Sequence, residues 1–508
     1  MKRLFSNTVF SGLEAVTLVA LNLVATPVLL NHFGIANYGV FVFLSTFSTY
    51  GLLSFFDLGM GGSLLNYVAR FDAVGDRRRI QNSLSVTLLF YGVMGVILAV
   101  TLYFSAGLVI GRFTDDTGLL DRALAERATR FVAASVFLQF LTLPFVGILQ
   151  GLRRYVITKT TSTVLMTVQY LVVIAIAVHW RRIDLAYAAV VGIAFLRLVT
   201  LALLLRYRVP HFRPMRFELD FRLLKELFSF SAVLLVSRIV GLVFNQMAKF
   251  LIWYFLAASS MAIYDVVTRP ANLVRILFST MNSAVVPEVA ALHERGESGQ
   301  IRRLYVNLVR YCYLIVLPIL VVLYIHLHGL LTLWVGADMA QYYRFGLIIL
   351  TVYLLAPIAS VASTMAIGLQ IVNKVIRISI VASIINIIFS VSLLHVWGLA
   401  GLLCGTLVAE AYMVWPYFRA MSRLTGLPFS ELARPLGRIF LAALIFVAGN
   451  LLAAPLVSGV GLLVLVVLSI GGHYAVSYAA LLSPEERRFL LAKARGRLPF
   501  LSTGGVKP

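Results

Sequence analysis

Leu149-Gln150, followed by Arg153 and Arg154, returns later in the chain as Leu369-Gln370, followed by Lys374 and Arg377. Each copy falls between a fourth and a fifth apolar run, so the two mark equivalent places in a duplicated unit. A second match pairs Gly75-Asp76-Arg77-Arg78-Arg79-Ile80 with Gly299-Gln300-Ile301-Arg302-Arg303-Leu304, each just ahead of a third run. The register between copies shifts by a few residues, as a drifted duplication would. The unit covers about residues 8 to 205 and again 228 to 420, and an extra pair of apolar runs follows. An even number of spans per copy brings both copies into a membrane in the same orientation, related by an axis along its normal. A repeat of this kind is a transporter architecture, with a cavity expected between the halves.

Composition places the chain in a bilayer. Hydrophobic residues make up 60% of it and charged residues 13%, and the mean hydropathy is +0.93, far from soluble averages. Apolar runs of about 20 residues give about fourteen spans, among them 40–67, 131–150, 228–256 and 264–291. Most of the 43 Lys and Arg fall in loops on the side of the N-terminus. Only Arg112, Arg122, Arg127, Arg130, Arg181, Arg182 and Arg344 fall in the opposite loops, so both termini are expected in the cytoplasm. The formal charge of +22 is read as this topological asymmetry, which also favours anionic lipid headgroups, and not as nucleic-acid binding. Lys2 and Arg3 ahead of a long apolar run mimic a signal peptide, but the run leads straight into further spans and is taken as the first. Cys312 and Cys404 both lie within spans, which argues against a disulfide scaffold. His326 and His328, two apart, point to different helix faces and are read as interfacial rather than as metal ligands.

The expected organisation is an N-terminal lobe at 1–205, a cytoplasmic linker at 206–227, a C-terminal lobe at 228–420, an extra helix pair at 421–482 and a basic cytoplasmic tail at 483–508. The linker carries Pro210 and Pro214 and then Phe217, Leu219, Phe221, Leu223 and Leu224 among charges. It reads equally as an interfacial hinge strap or a solvated connector. The tail opens Ser483-Pro484-Glu485-Glu486, a good helix start, and then turns basic.

Charge inside the hydrocarbon costs several kcal/mol, so each buried ion needs a partner, a cavity or a route to water. In the seventh span Arg238, Gly241, Asn245 and Lys249 share one helical face. In the eighth, Asp265, Arg269, Asn272, Ser279 and Ser283 do so, with Arg275 at the edge and Pro270 placed to kink the helix. Asp265 and Arg269 also stand at ion-pair spacing. Arg238, Lys249 and Arg275 have no acid three or four residues away. The candidate substrate-binding residues are therefore Arg238, Asn245, Lys249, Arg269, Asn272 and Arg275, a cationic track for an anion. Glu14 and Asp57 are candidates for binding a coupling ion. For Glu14, pairing with a second-half base and snorkelling to water stay open as alternatives. Arg197, Arg310 and Glu410 are read as structural or interfacial. Gly59-Met60-Gly61-Gly62 is read as allowing close helix packing. No metal-ligand cluster or nucleophile set appears at workable spacing.

Phe33-Gly34-Ile35-Ala36-Asn37-Tyr38-Gly39, then Phe56-Asp57-Leu58-Gly59-Met60-Gly61, and Gly398-Leu399-Ala400-Gly401 at the twelfth span complete the pattern. With the repeat, the chain resembles the O-antigen and exopolysaccharide flippases of the multidrug/oligosaccharidyl-lipid/polysaccharide (MOP) exporter superfamily. That resemblance implies an all-α polytopic membrane protein of two six-helix lobes plus a C-terminal helix pair, like multidrug (MATE) exporters and lipid II flippases. It implies translocation of an undecaprenyl-diphosphate-linked oligosaccharide across the bacterial inner membrane by alternating access, with no cofactor and with proton, sodium or membrane-potential coupling. The partners it implies are the lipid-linked substrate, the bilayer, and a polysaccharide polymerase and chain-length regulator. The last two spans would hold the polyprenyl tail. A cation-coupled multidrug exporter would want carboxylates where this chain places bases. A membrane glycosyltransferase or polymerase would need a catalytic base and a sizeable outer loop, and neither is evident.

Overall fold

Backbone N–H and C=O groups have no water to bond inside a bilayer, so a spanning segment must satisfy them within a helix or a closed barrel. Here the solution is helical. A computed structural model describes residues 2–47, 51, 53–113, 120–208, 223, 246–283, 285–457 and 459–488, and among these there is no β-strand. The helices are α1 (Lys2–Phe33), α2 (Ile35–Leu44), α3 (Leu53–Phe56), α4 (Met60–Ala73), α5 (Arg77–Phe104), α6 (Ala106–Gly111), α7 (Arg122–Gly151), α8 (Tyr155–Trp180), α9 (Ile183–Arg208) and α10 (246–255). They continue with α11 (Ala258–Ser283), α12 (Val286–Glu294), α13 (Ser298–Val335), α14 (Ala337–Ala340), α15 (Tyr343–Gly368), α16 (Val372–Trp397), α17 (Leu399–Thr425), α18 (Phe429–Ala453) and α19 (Val460–Val476). Eleven helices among the described residues are long and apolar enough to cross a membrane.

The remaining expected spans differ from simple helices. The run at 40–67 is broken into α2, α3 and α4, with a turn at Asp57-Leu58-Gly59 in which Leu58 has φ 49° and Gly59 φ 80°. Most of the run at 228–256, and most of the linker, lie outside the described residues. The run at 264–291 divides into α11 and α12; α11 stays continuous through Pro270, but its charges keep it out of the apolar set. α7 begins at Arg122, well before the apolar run at 131–150, because Asp121 caps it by accepting a hydrogen bond from the Leu124 N–H at 2.9 Å.

The described chain forms two compact units, one within Met1–Val267 and Ser379–Val408, the other within Thr268–Ile378 and Ala409–Pro508. In the first, α7 packs on α5, α9 and α4, and α1 packs on α8. Close backbone approach holds several of these contacts. A Cβ on Gly39 would overlap the Ala258 carbonyl, and one on Gly401 would overlap the Leu393 carbonyl where α17 doubles back on α16. In the second unit α13 is central, packing on α15, α18 and α19. His326 is buried, and its Nε2 is 2.9 Å from Asn450 Oδ1; Asn450 in turn donates to Ser469 Oγ at 2.5 Å. His326 is therefore an internal link between α13, α18 and α19, and not an interfacial residue, because a buried ring nitrogen needs a partner.

The duplication is legible in the backbone, in a register three residues away from the one the side chains suggest. Gly75 and Gly296 are both left-handed, and each closes a Schellman turn: Gly75 N–H bonds Asp72 O and Asp76 N–H bonds Phe71 O, as Gly296 does to His293 O and Glu297 to Leu292 O. The same turn ends α7 and α15, with Arg153 and Gln370 left-handed. Gly75-Asp76 thus corresponds to Gly296-Glu297, and Arg153 to Gln370. The basic residues compared in the sequence are not equivalent positions, because loop charge drifts freely while a helix end must keep its cap. Arg181 and Gly398 form a third equivalent pair, each left-handed between consecutive helices.

The tail starts as its sequence implies. Ser483 and Glu486 form a reciprocal capping box, Ser483 N–H to Glu486 Oε2 at 2.6 Å and Glu486 N–H to Ser483 Oγ at 3.2 Å. Arg310 of α13 grips the same carboxylate through both terminal nitrogens at 3.0 and 2.9 Å, and Tyr311 donates to it as well. Arg310 is structural, as expected.

Substituting Ala for Gly39 or Gly401 is expected to lower the thermal unfolding temperature in detergent, at a cost of about 1–3 kcal/mol each; Gly192→Ala, which faces open space, should change little. Burial works against the Glu486 carboxylate, but hydrogen bonds from Tyr311, the Ser483 backbone and Arg310 pull it down to about 2. A depressed carboxylate stabilises above its unfolded value, near 4.5, and loses that contribution as pH falls through its folded value. The stability difference between wild type and Glu486→Gln, read by circular dichroism, should hold above pH 4.5 and vanish toward pH 2.

Candidate substrate-binding site

In the second unit, α11 presents Asn272 and Arg275 one turn apart. Arg275 is exposed; its Nε donates to Asn272 Oδ1 at 3.2 Å, and Tyr353 of α15 donates to the same oxygen at 3.2 Å. The amide carbonyl is thereby used twice over, and it orients the guanidinium. Among the described residues no carboxylate lies within ion-pair distance of Arg275. An exposed guanidinium with no carboxylate beside it has the chemistry to take phosphate-like oxygens in a bidentate fork. Arg269 is half-buried one and a half turns earlier on the same helix.

Glu410 lies near the middle of α17, 6% exposed, close enough to Tyr313 and Tyr353 to act on both electrostatically. It is therefore buried and not interfacial. One sequence in isolation did not reveal this, because α17 carries no polar stripe around Glu410.

The other candidates lie in the first unit or outside the described residues. Lys249 is half-buried on α10; Arg238, Gly241 and Asn245 fall outside. Glu14 has its partner inside the first copy: Lys159 of α8 donates to it at 2.6 Å, with the two side chains 21% and 12% exposed. Glu14 thus has at least one partner within its own copy. α1 packs along α8, and one polar contact leads to the next, Tyr170 O–H to Asn22 Oδ1 at 3.0 Å. Asp57 is buried and accepts hydrogen bonds from Gly61 N–H at 2.9 Å and from the Tyr91 hydroxyl. It caps the first turn of α4 while Gly61, lacking a side chain, leaves room for the Asp57 carboxylate, which a Cβ would approach to 3.1 Å. The glycine-rich stretch therefore serves a turn and a close contact together.

The first motif is structural in the same way. Tyr38 donates to Asp265 Oδ2 at 2.7 Å, and Asn37 Oδ1 accepts from Asp121 N–H at 3.3 Å. Asp265 consequently has a partner that helix spacing alone does not show. Arg197, read as structural, donates to Ser162 at 3.1 Å.

The family model for polysaccharide biosynthesis proteins matches residues 6–293, more than half of the chain. The chain belongs to the polysaccharide biosynthesis protein family. Solved structures similar to this family member share its fold at low identity. The lipid II flippase MurJ in an inward closed conformation aligns with a TM-score of 0.71 and 14% identity, over 93% of this chain and 99% of that chain. An inward-facing multidrug resistance MATE family transporter of the MOP superfamily gives 0.60 and 17%, over 80% and 94%. A MOP superfamily transporter from Pyrococcus furiosus, described as having a binding pocket of reverse polarity, gives 0.51 and 15%, over 83% and 96%. No curated protein shows significant sequence similarity to the chain. The fold is that of MOP superfamily transporters, and the family is one of polysaccharide biosynthesis.

Removing one partner of a partly buried ion pair forfeits a short charge-assisted hydrogen bond, so Lys159→Ala should destabilise by roughly 2–4 kcal/mol. The exchanged pair, Glu14→Lys with Lys159→Glu, should recover most of that loss in a double-mutant cycle of thermal stability.

Proposed function

We propose that this protein is a flippase that carries an undecaprenyl-diphosphate-linked oligosaccharide, the repeat unit of an O-antigen, capsule or exopolysaccharide, across the bacterial inner membrane. The observation that carries the proposal is the Arg275–Asn272–Tyr353 arrangement, in a chain of the polysaccharide biosynthesis family. A diphosphate must shed water to move through a membrane protein, and a guanidinium held ready without a carboxylate offsets that loss. Arg238, Asn245, Lys249 and Arg269, read from the sequence alone, would offer the substrate further polar contacts. A sugar chain follows through an alternating-access cavity between lobes at 1–205 and 228–420, with both termini in the cytoplasm.

The polyprenyl tail needs no polar help and stays in lipid. The α18–α19 pair supports this division, since Leu441, Ile445, Leu452, Val467 and Leu468 are all exposed and apolar. Energy enters at a carboxylate. The Glu14–Lys159 pair suits that role, because protonating Glu14 would end the ion pair; Asp57, bound within one turn and by Tyr91, suits it less. A polymerase and a chain-length regulator would take up the product on the far side. Translocation breaks no covalent bond and requires no catalytic residue. A cation exporter of the same fold would be poorly served by an unneutralised Arg275.

In a strain depending on this chain, Arg238→Ala, Lys249→Ala and Arg275→Ala should each reduce surface polysaccharide at least tenfold. The protein should stay in the membrane fraction, and lipid-linked repeat units should accumulate. Normal polymer from all three variants would sink the cationic-track reading.

A further inference from the structure

Within the first unit, α5 and α7 pack closely at Gly95, where a Cβ would stand 3.1 Å from Phe140 Cβ. Toward the end of α5 and the start of α7, a cavity of about 610 Å³ opens between them. Val100 and Phe104 of α5 and Phe131 and Ala134 of α7 line its walls, and Arg127 and Arg130 line it as well. Its size lies in the range of small-molecule sites. The walls are apolar, and Phe104 is 81% exposed.

The two arginines lie three apart on one face of α7, within the first turns of the helix and so at headgroup depth. Their neighbours among the described residues match them only loosely. Asp184 is held by Arg182 through Nε at 3.1 Å and a terminal nitrogen at 2.8 Å, and by Leu185 N–H at 2.9 Å; Arg127 Nε stands 3.4 Å from the same carboxylate. Arg130 lies over the Tyr103 ring at 5.7 Å and is 3.7 Å from Glu126. Asp121 also acts on Arg182, while Arg127 and Arg130 stay about half exposed, with their carboxylates at 3.4 and 3.7 Å among the described residues. A slot that is apolar along its length and cationic at one end is complementary to an amphiphile with an anionic head.

We propose that this slot is a binding site for an anionic glycerophospholipid, with one acyl chain between α5 and α7 and the phosphate on Arg127 and Arg130. The site is separate from the α11 cluster and rests only on the membrane fold, so it stands or falls apart from the translocation reading. It faces the leaflet at the α5–α7 end, where the lipid is resident and enters sideways from the bilayer. A lipid wedged there fills a void that would otherwise cost both helices their contacts.

The test is native mass spectrometry of the purified full-length protein after delipidation. It would be incubated with equal amounts of phosphatidylglycerol and phosphatidylcholine bearing identical acyl chains. Wild type should retain phosphatidylglycerol over phosphatidylcholine at one site by about tenfold, roughly fivefold or less being contributed by each arginine. Arg127→Gln with Arg130→Gln should bring that ratio close to one. Ala134→Trp, which fills the slot and leaves the ion network untouched, should reduce retention of both lipids and keeps the test informative if the arginine variant folds poorly. Equal retention of the two lipids by wild type overturns the proposal, as does a preference unchanged in both variants. Displacement of phosphatidylglycerol by an equal amount of undecaprenyl diphosphate would also overturn it, by giving the slot to the isoprenoid carrier.

Discussion

A helix that crosses hydrocarbon must finish its backbone hydrogen bonds before the chain can turn back, and this requirement is visible at each equivalent turn of the duplicated chain. Gly75 and Gly296, Arg153 and Gln370, Arg181 and Gly398 all adopt left-handed backbone at a helix end. For a residue with a Cβ that conformation costs on the order of 1–2 kcal/mol, yet Arg153, Arg181 and Gln370 accept it. The freed carbonyls of the last helical turn gain N–H partners in exchange. The turn is therefore kept by capping, and the residue occupying it is free to change. This explains why the backbone register of the two copies differs from the register in which their charges look alike.

The same accounting extends to polar side chains. Glu14 with Lys159, Asp57 with Tyr91, Asp265 with Tyr38, His326 with Asn450 and Glu486 with Arg310 all join groups from different elements of the fold. Each such contact pins one helix against another at a chosen depth, where apolar packing alone would let it slide. A hydrogen-bonded polar group in an apolar setting is also expensive to leave unmatched, so these pairs specify the packing as well as tolerating it. Arg275 stands apart from them. Its hydrogen bond to Asn272 orients it without neutralising it. Arg127 and Arg130 are held more loosely, at 3.4 and 3.7 Å from the carboxylates they face.

Membrane class, helical fold, the doubled unit and the places of the main spans follow from the sequence by itself, because hydrophobic length and the position of basic loops report directly on the bilayer. So does the start of the tail, where Ser483 and Glu486 act within four residues. The cationic character of α11 was legible for the same local reason. What only the tertiary structure decided is partnership across helices. Lys159 offers no cue that it meets Glu14, Tyr353 none that it holds Asn272, and Tyr38 none that it reaches Asp265. Burial of Glu410 and His326, the break in the second span, and the slot between α5 and α7 arise likewise from how helices lie against one another. Helical periodicity fixes which residues share a face of one helix; which face meets which neighbour depends on side-chain volumes summed over many contacts, and no single stretch of chain contains that sum.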